Sequence, residues 1–326
     1  MTDDTSPIPR RDELLSWLIR QGLNVGGLSQ LPGDVSLRRY VRVDIDGGTA
    51  IVALYPTEIR PACRNFLQTT RMLSAAGVRV PRVLASACDQ GLVLLEDLGS
   101  DTLYDLRDTT PSNLSTYFWR ASADLQRIQS VSVDEVEPLN PPLDRDLLWR
   151  ELSQTWTSLF EPRGLVADAG FSRRLQETLT EICALLDAEP PVPCHRDFMT
   201  RNLIPVEPYP ELAVIDHQDL RLGPRYYDLA SLLNDSLFPS DALEEEILLH
   251  CLGAEPAERA LYHRAAAQRT LKATGTYETF ALRGFKRHQN LISGTLGRAL
   301  RHLRRLPEAD EVCDELEERL TPLLIC

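Results

Sequence analysis

Lysine is nearly absent from this chain. Of its 35 basic residues only Lys272 and Lys286 are lysines, so positive charge is carried almost wholly by forked guanidinium groups. An excess of positive charge is also missing: 35 Lys and Arg against 48 Asp and Glu give a formal net charge of −13 and a pI near 5.0. That balance excludes a broad phosphate-neutralising surface, and no nucleic-acid partner is expected. A local basic pocket for one small phosphate ligand stays open. No apolar run approaches the roughly 20 residues that span a bilayer, so no membrane partner is expected. The seven cysteines, at 63, 88, 183, 194, 251, 313 and 326, contain no CxxC pair. This odd, scattered set suggests neither a disulfide framework nor a zinc knuckle, and free thiols in a reducing cytoplasm are expected. The segment Met1–Pro7 is polar and acidic and lacks the apolar core of a signal peptide, which points to the same cytoplasmic location.

What is present suits a folded enzyme-sized protein. The 326 residues are 43% hydrophobic and 25% charged, enough for one large domain or two ordinary ones. The first hundred residues are strand-rich. Asp12 to Gln21 has helical spacing of Leu14, Leu15, Trp17 and Leu18. Ser36 to Asp44 partly alternates, Asp46-Gly-Gly reads as a hairpin turn, and Thr49 to Tyr55 is the returning strand. A helix over 61–76 stops at Gly77, and two strands, Arg82–Ala87 and Leu92–Glu96, flank the turn Cys88-Asp-Gln-Gly. Beyond Asp101 amphipathic helices are expected near 111–129, 143–160, 171–187, 226–236, 241–252, 257–275, 286–305 and 308–319. The stretch 190–225 is proline-rich and loop-like, with two short apolar runs at 202–206 and 212–216. The organisation expected is α+β and bilobal: a small antiparallel-sheet lobe over 1–96, a hinge over 97–101, and a larger helical lobe over 102–326. Ligands favour the cleft between two such lobes.

The chemistry concentrates in that loop-like stretch. Cys194-His195-Arg196-Asp197-Phe-Met-Thr-Arg-Asn202 is followed by Ile215-Asp216-His-Gln-Asp219. An Asp five residues before an Asn, on a loop entering a short strand, can set a carboxylate and an amide oxygen beside one pocket. A second short strand ending in Asp216 adds another carboxylate. Two carboxylates and an amide oxygen are hard donors suited to Mg²⁺ rather than zinc, and a free carboxylate beside such an ion can act as a general base toward a hydroxyl. Taken singly, Asp197 could equally be a turn or capping residue, and Asp228 a helix-start residue.

The ordered set His195-x-Asp197-x-x-x-x-Asn202, Ile215-Asp216 and Tyr227-Asp228-Leu-Ala resembles the aminoglycoside phosphotransferase and choline kinase superfamily, small-molecule relatives of the protein kinases. A narrower resemblance covers nearly the whole chain. Leu37-Arg-Arg-Tyr-Val-Arg-Val, Leu94-Leu-Glu-Asp-Leu-Gly, the run from Ile215 to Leu233 and Gln268-Arg-Thr-Leu-Lys-Ala-Thr-Gly-Thr are similar to the anomeric kinases of N-acetylmuramate and N-acetylglucosamine. The resemblance implies a protein-kinase-like fold and transfer of the ATP γ-phosphoryl group to a sugar C1 hydroxyl in cell-wall recycling. It implies that Asp197 is the catalytic base, and that Asn202 and Asp216 hold Mg²⁺ on the ATP phosphates. His195 and Asp228 would support the catalytic loop, Glu96, Asp97 and Leu98 would present backbone to adenine, and the loop from Gly33 through Ser36 to Arg39 would cover the phosphates.

One departure stands out. Kinases of this class carry a third-strand lysine paired to a glutamate on the next helix. Here Thr49 to Tyr55 has no lysine, and no glutamate occurs between Ile59 and Leu95. Arg38, Arg39 and Arg42 are the candidates to replace that charge, with strand alternation sending Arg38, Tyr40 and Arg42 to one face and Arg39 and Val41 to the other. Gln218, Asp219 and Arg221 could face the acceptor. Arg269 and Lys272, one helical turn apart, either meet an anionic group such as a lactyl carboxylate or form a solvated helix face. Two alternatives to the sugar kinase are a kinase of another small alcohol and a nucleotide-binding pseudokinase.

Overall fold

A computed structural model of the chain describes residues 10–31 and 37–324. It divides into two compact units: residues up to Ser100 with Ala213–Asp219, and Asp101–Leu212 with Leu220 onward. The chain thus returns to its first unit for seven residues that chain order alone assigns to the second.

The first unit holds α1 (Arg11–Arg20), β1 (Val25–Gln30), β2 (Arg39–Ile45), β3 (Gly48–Leu54), α2 (Pro61–Ala75), β4 (Val83–Ala87) and β5 (Leu92–Glu96). Its strands form one antiparallel sheet in the order β1-β2-β3-β5-β4. Period-2 alternation sorts the strand residues onto two faces. Val41, Val43, Ala50, Val52, Leu92 and Leu94 pack with Leu14, Trp17 and Leu18 of α1. Ala53, Val93 and Leu95 pack with Tyr55 and with Cys63 and Phe66 of α2. Leu14, Trp17 and Leu18 fall at i, i+3 and i+4, one stripe of a helix, and each such buried side chain stabilises the fold by roughly 1.5–3 kcal/mol. Strand β1 is not legible in the sequence: Gly26 and Gly27 weaken its pattern, and its register with β2 shifts between Val25 and Leu28, as befits a bulged edge strand.

One expectation is corrected here. Cys63, near the start of α2, and Cys88, just after β4, form a disulfide with their Cα atoms 5.6 Å apart, so the cysteines are not all free thiols. Their sequence separation of 25 carries no pairing signal; the packing of α2 on the β4–β5 turn brings them together. Among the described residues Cys183, Cys194, Cys251 and Cys313 are free.

The second unit is mainly helical. In chain order it contains α3 (Pro111–Gln129), α4 (Val133–Val136), α5 (Arg145–Thr155), α6 (Ala169–Asp187), β6 (Val192–Cys194) and β7 (Leu203–Pro205). Strand β8 (Leu212–Val214) leads back toward the first unit, and β9 (Arg221–Gly223), α7 (Tyr227–Asn234), α8 (Asp241–Leu252), α9 (Pro256–Leu282), α10 (Ile292–Leu303) and α11 (Asp310–Leu324) complete it. Asp144, Asp168 and Ser240 cap α5, α6 and α8 by accepting the amides of Leu147, Phe171 and Leu243, satisfying donors that a helix start leaves open. The expected helix over 286–305 is instead a 3₁₀ segment, 286–291, followed by α10. The combination of a five-stranded antiparallel sheet and a larger helical part is the α+β class expected. Among the described residues no helix is long and apolar enough to cross a membrane.

Helix α9 is the spine of the second unit. It buries Ala265, Ala266, Ala267, Gln268, Arg269, Thr270 and Leu271 in succession, which small residues on several faces permit. A Cβ on Gly275 would meet Thr155 Oγ1 at 2.2 Å and its Cα at 2.5 Å, so glycine is what allows α9 to lie this close to the end of α5. Thr155 Oγ1 donates to the Leu271 carbonyl at 2.8 Å and Ser158 Oγ to the Gly275 carbonyl at 3.1 Å, locking the stretch of α9 that carries Arg269 and Lys272.

Candidate active site

In the helical unit the loop after β6 is held by backbone capture. Asp228, fully buried near the start of α7, accepts the amides of His195 at 2.6 Å and Arg196 at 2.8 Å. Burial pushes its carboxyl up to about 6 against the opposing pull of His195 and those two amides. Arg196 adopts a left-handed φ of 77°, a costly conformation for a side-chain-bearing residue, and its guanidinium pairs with buried Glu151 of α5. The buried His195 ring packs edge-on against Phe198 at 5.8 Å.

That strained loop presents Asp197, whose side chain is 28% exposed. Its Oδ1 lies 3.4 Å from Arg269 and 3.5 Å from Lys272, both on α9. Burial raises this carboxyl, but Lys272, Arg269, Arg196 and His195 outweigh it and hold it well below the usual carboxylate range. Asn202 donates from Nδ2 to the Asp197 carbonyl at 2.8 Å, while its amide oxygen takes no hydrogen bond from any described residue. Behind the pair lies a buried network. Asp235, directly after α7, accepts the Tyr277 hydroxyl at 2.5 Å and Arg201 at 3.0 Å, and stands 3.9 Å from Arg269. Arg269 also donates to Ser231 Oγ at 3.1 Å.

Both α9 cations therefore turn inward: Arg269 is 3% exposed and the Lys272 side chain 13%. The solvated-face reading of this pair is corrected, because α9 is surrounded by its neighbours rather than lying on the surface. Arg221 on β9 is likewise buried and donates to the Pro141 carbonyl at 3.0 Å, a bond that holds backbone. Glu151, Arg201, Ser231, Asp235 and Tyr277 were not read from the sequence. Ser231 lies one turn after Asp228 on α7 and Asp235 directly follows that helix, and this short spacing from a residue already singled out is the signal that could have found two of them.

In the sheet unit Asp216 sits at a left-handed φ of 61° with its side chain 39% exposed. Arg38, itself buried, donates to Asp216 Oδ1 at 2.5 Å and to Gln218 Oε1 at 2.7 Å. Its guanidinium lies 5.4 Å from the Tyr40 ring centre and 5.7 Å from that of Tyr55, within cation–π range. Tyr55 immediately follows β3. Gln218 in turn donates to Asp216 Oδ1 at 3.0 Å. The segment is anchored on α2, where Thr70 Oγ1 and His217 Nε2 lie 2.8 Å apart and the Phe66 ring packs, tilted by 40°, with its centre 4.7 Å from that of His217. Asp219 closes the same short turn, half-buried.

The other nucleotide-side candidates separate by their partners. Arg42 is engaged by Asp97, through Nε at 2.5 Å and a second nitrogen at 3.1 Å. Asp97 also accepts Thr49 Oγ1 at 2.7 Å and the Gly99 amide at 2.9 Å. Glu96 binds the Arg82 side chain and amide, both at 2.7 Å, and pairs with Arg79. Arg42 and Thr49, and Arg79 and Arg82, overcome the upward push of burial and lower these two carboxyls. Arg39 is exposed, on the opposite side of β2 from Tyr40 and Arg42, and Leu98 is half-buried. Gly33 and Ser36, expected over the phosphates, lie outside the described residues.

Taken each in its own unit, the partly exposed Asp216 carboxylate and the Asn202 amide oxygen are hard donors of the type that Mg²⁺ takes. Mg²⁺ takes one or two protein oxygens and fills the rest of its shell from phosphates and water.

Known proteins resemble this chain along most of its length. A sequence 36% identical over 210 residues, 62% of this chain, is the N-acetylmuramate/N-acetylglucosamine kinase of Pseudomonas aeruginosa; the matched stretch spans 58% of that relative. The protein of the same name from Pseudomonas putida is 31% identical over 288 residues, 82% of this chain and 81% of the relative. Among solved structures, ADP-bound aminoglycoside phosphotransferase APH(2'')-Ib superposes with a TM-score of 0.60 at 14% identity, covering 91% of this chain and 99% of that one. The choline kinase LicA of Streptococcus pneumoniae gives 0.55 at 18% identity, covering 88% and 99%. These structural likenesses establish the protein-kinase-like fold. Residues 27–267, well over half of the chain, match the phosphotransferase enzyme family, and the chain belongs to that family.

Proposed function

We propose that this protein is an ATP-dependent anomeric kinase. It transfers the γ-phosphoryl group to the C1 hydroxyl of N-acetylmuramate or N-acetylglucosamine and releases the sugar 1-phosphate. The observation that carries this reading is Asp197, a half-sheltered carboxylate kept ionised by Arg269 and Lys272. So acidic a carboxyl is a weak base. A weak base suits an acceptor whose hydroxyl is itself unusually acidic, and a sugar's anomeric hydroxyl is more acidic than its other hydroxyls. The names of the relatives support the same choice.

In this reading Asp197 orients the C1 hydroxyl in line with the nucleotide and takes its proton, a role worth roughly 10²–10⁴-fold in rate. Asp216 and Asn202 would hold Mg²⁺, whose charge, when bound, offsets that on the phosphates. Arg38 supplies the cation that a third-strand lysine provides elsewhere: Arg42 is committed to Asp97 and Arg39 lies on the other face of β2, whereas Arg38 is at Tyr55, directly after β3. Backbone at Glu96–Leu98 would face adenine, and Gln218 and Asp219 would face the acceptor. The cations at Asp197 disfavour a polycationic acceptor such as an aminoglycoside, since like charges would meet beside the base.

The test is phosphorus NMR of the products formed from Mg-ATP with free and 1-O-methyl sugars, Asp197→Asn serving as control. A glycosyl 1-phosphate from the free N-acetyl sugars alone, lost in the variant, is expected. Product from the 1-O-methyl sugars as well would move transfer to another hydroxyl. Nucleotide binding without product from any sugar would defeat the anomeric kinase.

A further inference from the structure

The two cations on Asp197 differ in how completely they are partnered. Arg269 has Ser231, Asp235 and Asp197 around it, so its fork is spent on holding the network together. Lys272 has a single acceptor among the described residues, Asp197 Oδ1 at 3.5 Å. That is an ion-pair distance, well beyond the roughly 2.7–2.9 Å of a charge-assisted hydrogen bond. The negative charge of Glu151 is felt by the same ammonium, yet no hydrogen bond joins them. An ammonium has three donors, and one so nearly buried is costly to leave with so incomplete a shell.

Position adds to this. Asp197 is the residue that receives the acceptor hydroxyl in the kinase reading, on which this inference rests. An ammonium 3.5 Å from its Oδ1 is within reach of atoms one or two bonds beyond that hydroxyl. The helix that carries it is fixed by the Gly275–Thr155 approach and the Thr155–Leu271 hydrogen bond, so the charge is presented from a rigid support. In a chain whose basic residues are nearly all arginine, a compact three-donor ammonium stands here, where a planar fork is the poorer fit to a crowded tetrahedral group.

We propose that Lys272 binds an anionic oxygen next to the acceptor hydroxyl, so that the ligand completes the shell the protein leaves open. Two sources supply such an oxygen: the phosphoryl group in transfer, or a carboxylate borne by the acceptor, as in N-acetylmuramate. Lys272→Met keeps the length and apolar stem and removes the charge, with Lys272→Gln as a second variant should the first fold poorly. Each is compared with the unmodified protein for kcat and KM on N-acetylmuramate and N-acetylglucosamine. Calorimetric affinities for each sugar and for a non-hydrolysable ATP analogue are measured alongside.

At least a tenfold loss in kcat/KM is expected. A loss shared by both sugars, lying in kcat with sugar affinity unchanged, identifies the phosphoryl group. A loss confined to N-acetylmuramate, lying in KM and in its calorimetric affinity, identifies the carboxylate. Variants within threefold of the parent on both sugars, with unchanged affinities, would overturn the proposal. Should the parent turn over neither sugar, the anomeric kinase fails on its own; Lys272 is then judged by calorimetry, where weaker binding of an anionic ligand by the variants supports the proposal and unchanged binding overturns it.

Discussion

Asp216 and Asp197 are the two carboxylates on which the proposed chemistry turns, yet the two units hold them by different physics. Asp216 in the sheet unit is 39% exposed and leans on one guanidinium, Arg38, and one amide, Gln218. Asp197 in the helical unit has its two cations on one long helix, and a second buried carboxylate, Asp235, anchors one of them. The first arrangement leaves a carboxylate that can exchange partners, as its proposed role as a metal ligand requires. The second leaves a carboxylate whose charge and position are set before any ligand arrives, which is the preorganisation expected of a base.

Neutralising the proposed base is the largest perturbation. Asp197→Asn should lower kcat by on the order of 10³-fold while circular dichroism still reports a folded chain. Retention of a tenth or more of the activity would remove Asp197 from the base's role.

Next in size is the contrast between the two arginines. Arg269→Met leaves Asp197 and Asp235 without their shared buried cation and should cost about 3 kcal/mol in urea unfolding. Arg38→Met exposes Asp216 to water that can solvate it, so the stability loss should stay near or below about 1 kcal/mol. The same change should weaken nucleotide binding about tenfold, the loss of one charge-assisted contact. Equal destabilisation by both variants would erase the distinction drawn between the two carboxylates.

Last comes a pH dependence that sets the helical unit apart. His263 of α9 and His302 of α10 are buried with their Nδ1 atoms 3.0 Å apart, and His302 Nε2 lies 2.9 Å from Asn234 Oδ1. Burial, reinforced by Arg305, Arg259 and Arg301, lowers His263 to about 4. The unfolded chain takes up this proton near 6.5 and the folded one only near 4, so this contribution to stability is whole above about 6.5 and is lost as pH falls toward 4. Relative to wild type, His263→Gln should therefore gain on the order of 2 kcal/mol between neutral pH and pH 4. Asp228, raised to about 6, acts in the opposite sense, losing its contribution as pH rises from about 4 to 6, but it cancels in the comparison. Parallel Tm-against-pH curves for the two proteins would show that the histidine pair does not titrate this way.

How far the sequence could be read depended on the range of the pattern. The alternation in β2 and β3 and the apolar stripe of α1 are local, so those elements were legible to within a few residues. So were the helices whose start is marked by Pro or a capping side chain, such as α3 and α8. Strand β1 was not, because two glycines and a bulge interrupt its period. The candidate loop was legible as a polar cluster because His195, Asp197 and Asn202 lie within eight residues. The network behind it was not, since Glu151, Asp235 and Tyr277 come from α5, the end of α7 and α9, far apart in the chain.

From its sequence alone the chain determined its two-part make-up, its excess of acidic residues and the cluster of carboxylates and amide proposed for phosphoryl transfer, because each is written in neighbouring residues or in composition. Tertiary structure decided which arginine stands at the end of the third strand, that Cys63 meets Cys88, and that Arg269 and Lys272 turn inward onto Asp197. Those outcomes depend on which helix faces pack together, as at the close approach of Gly275 to Thr155. A buried cation acquires its function from the carboxylate that packing brings to it across the fold.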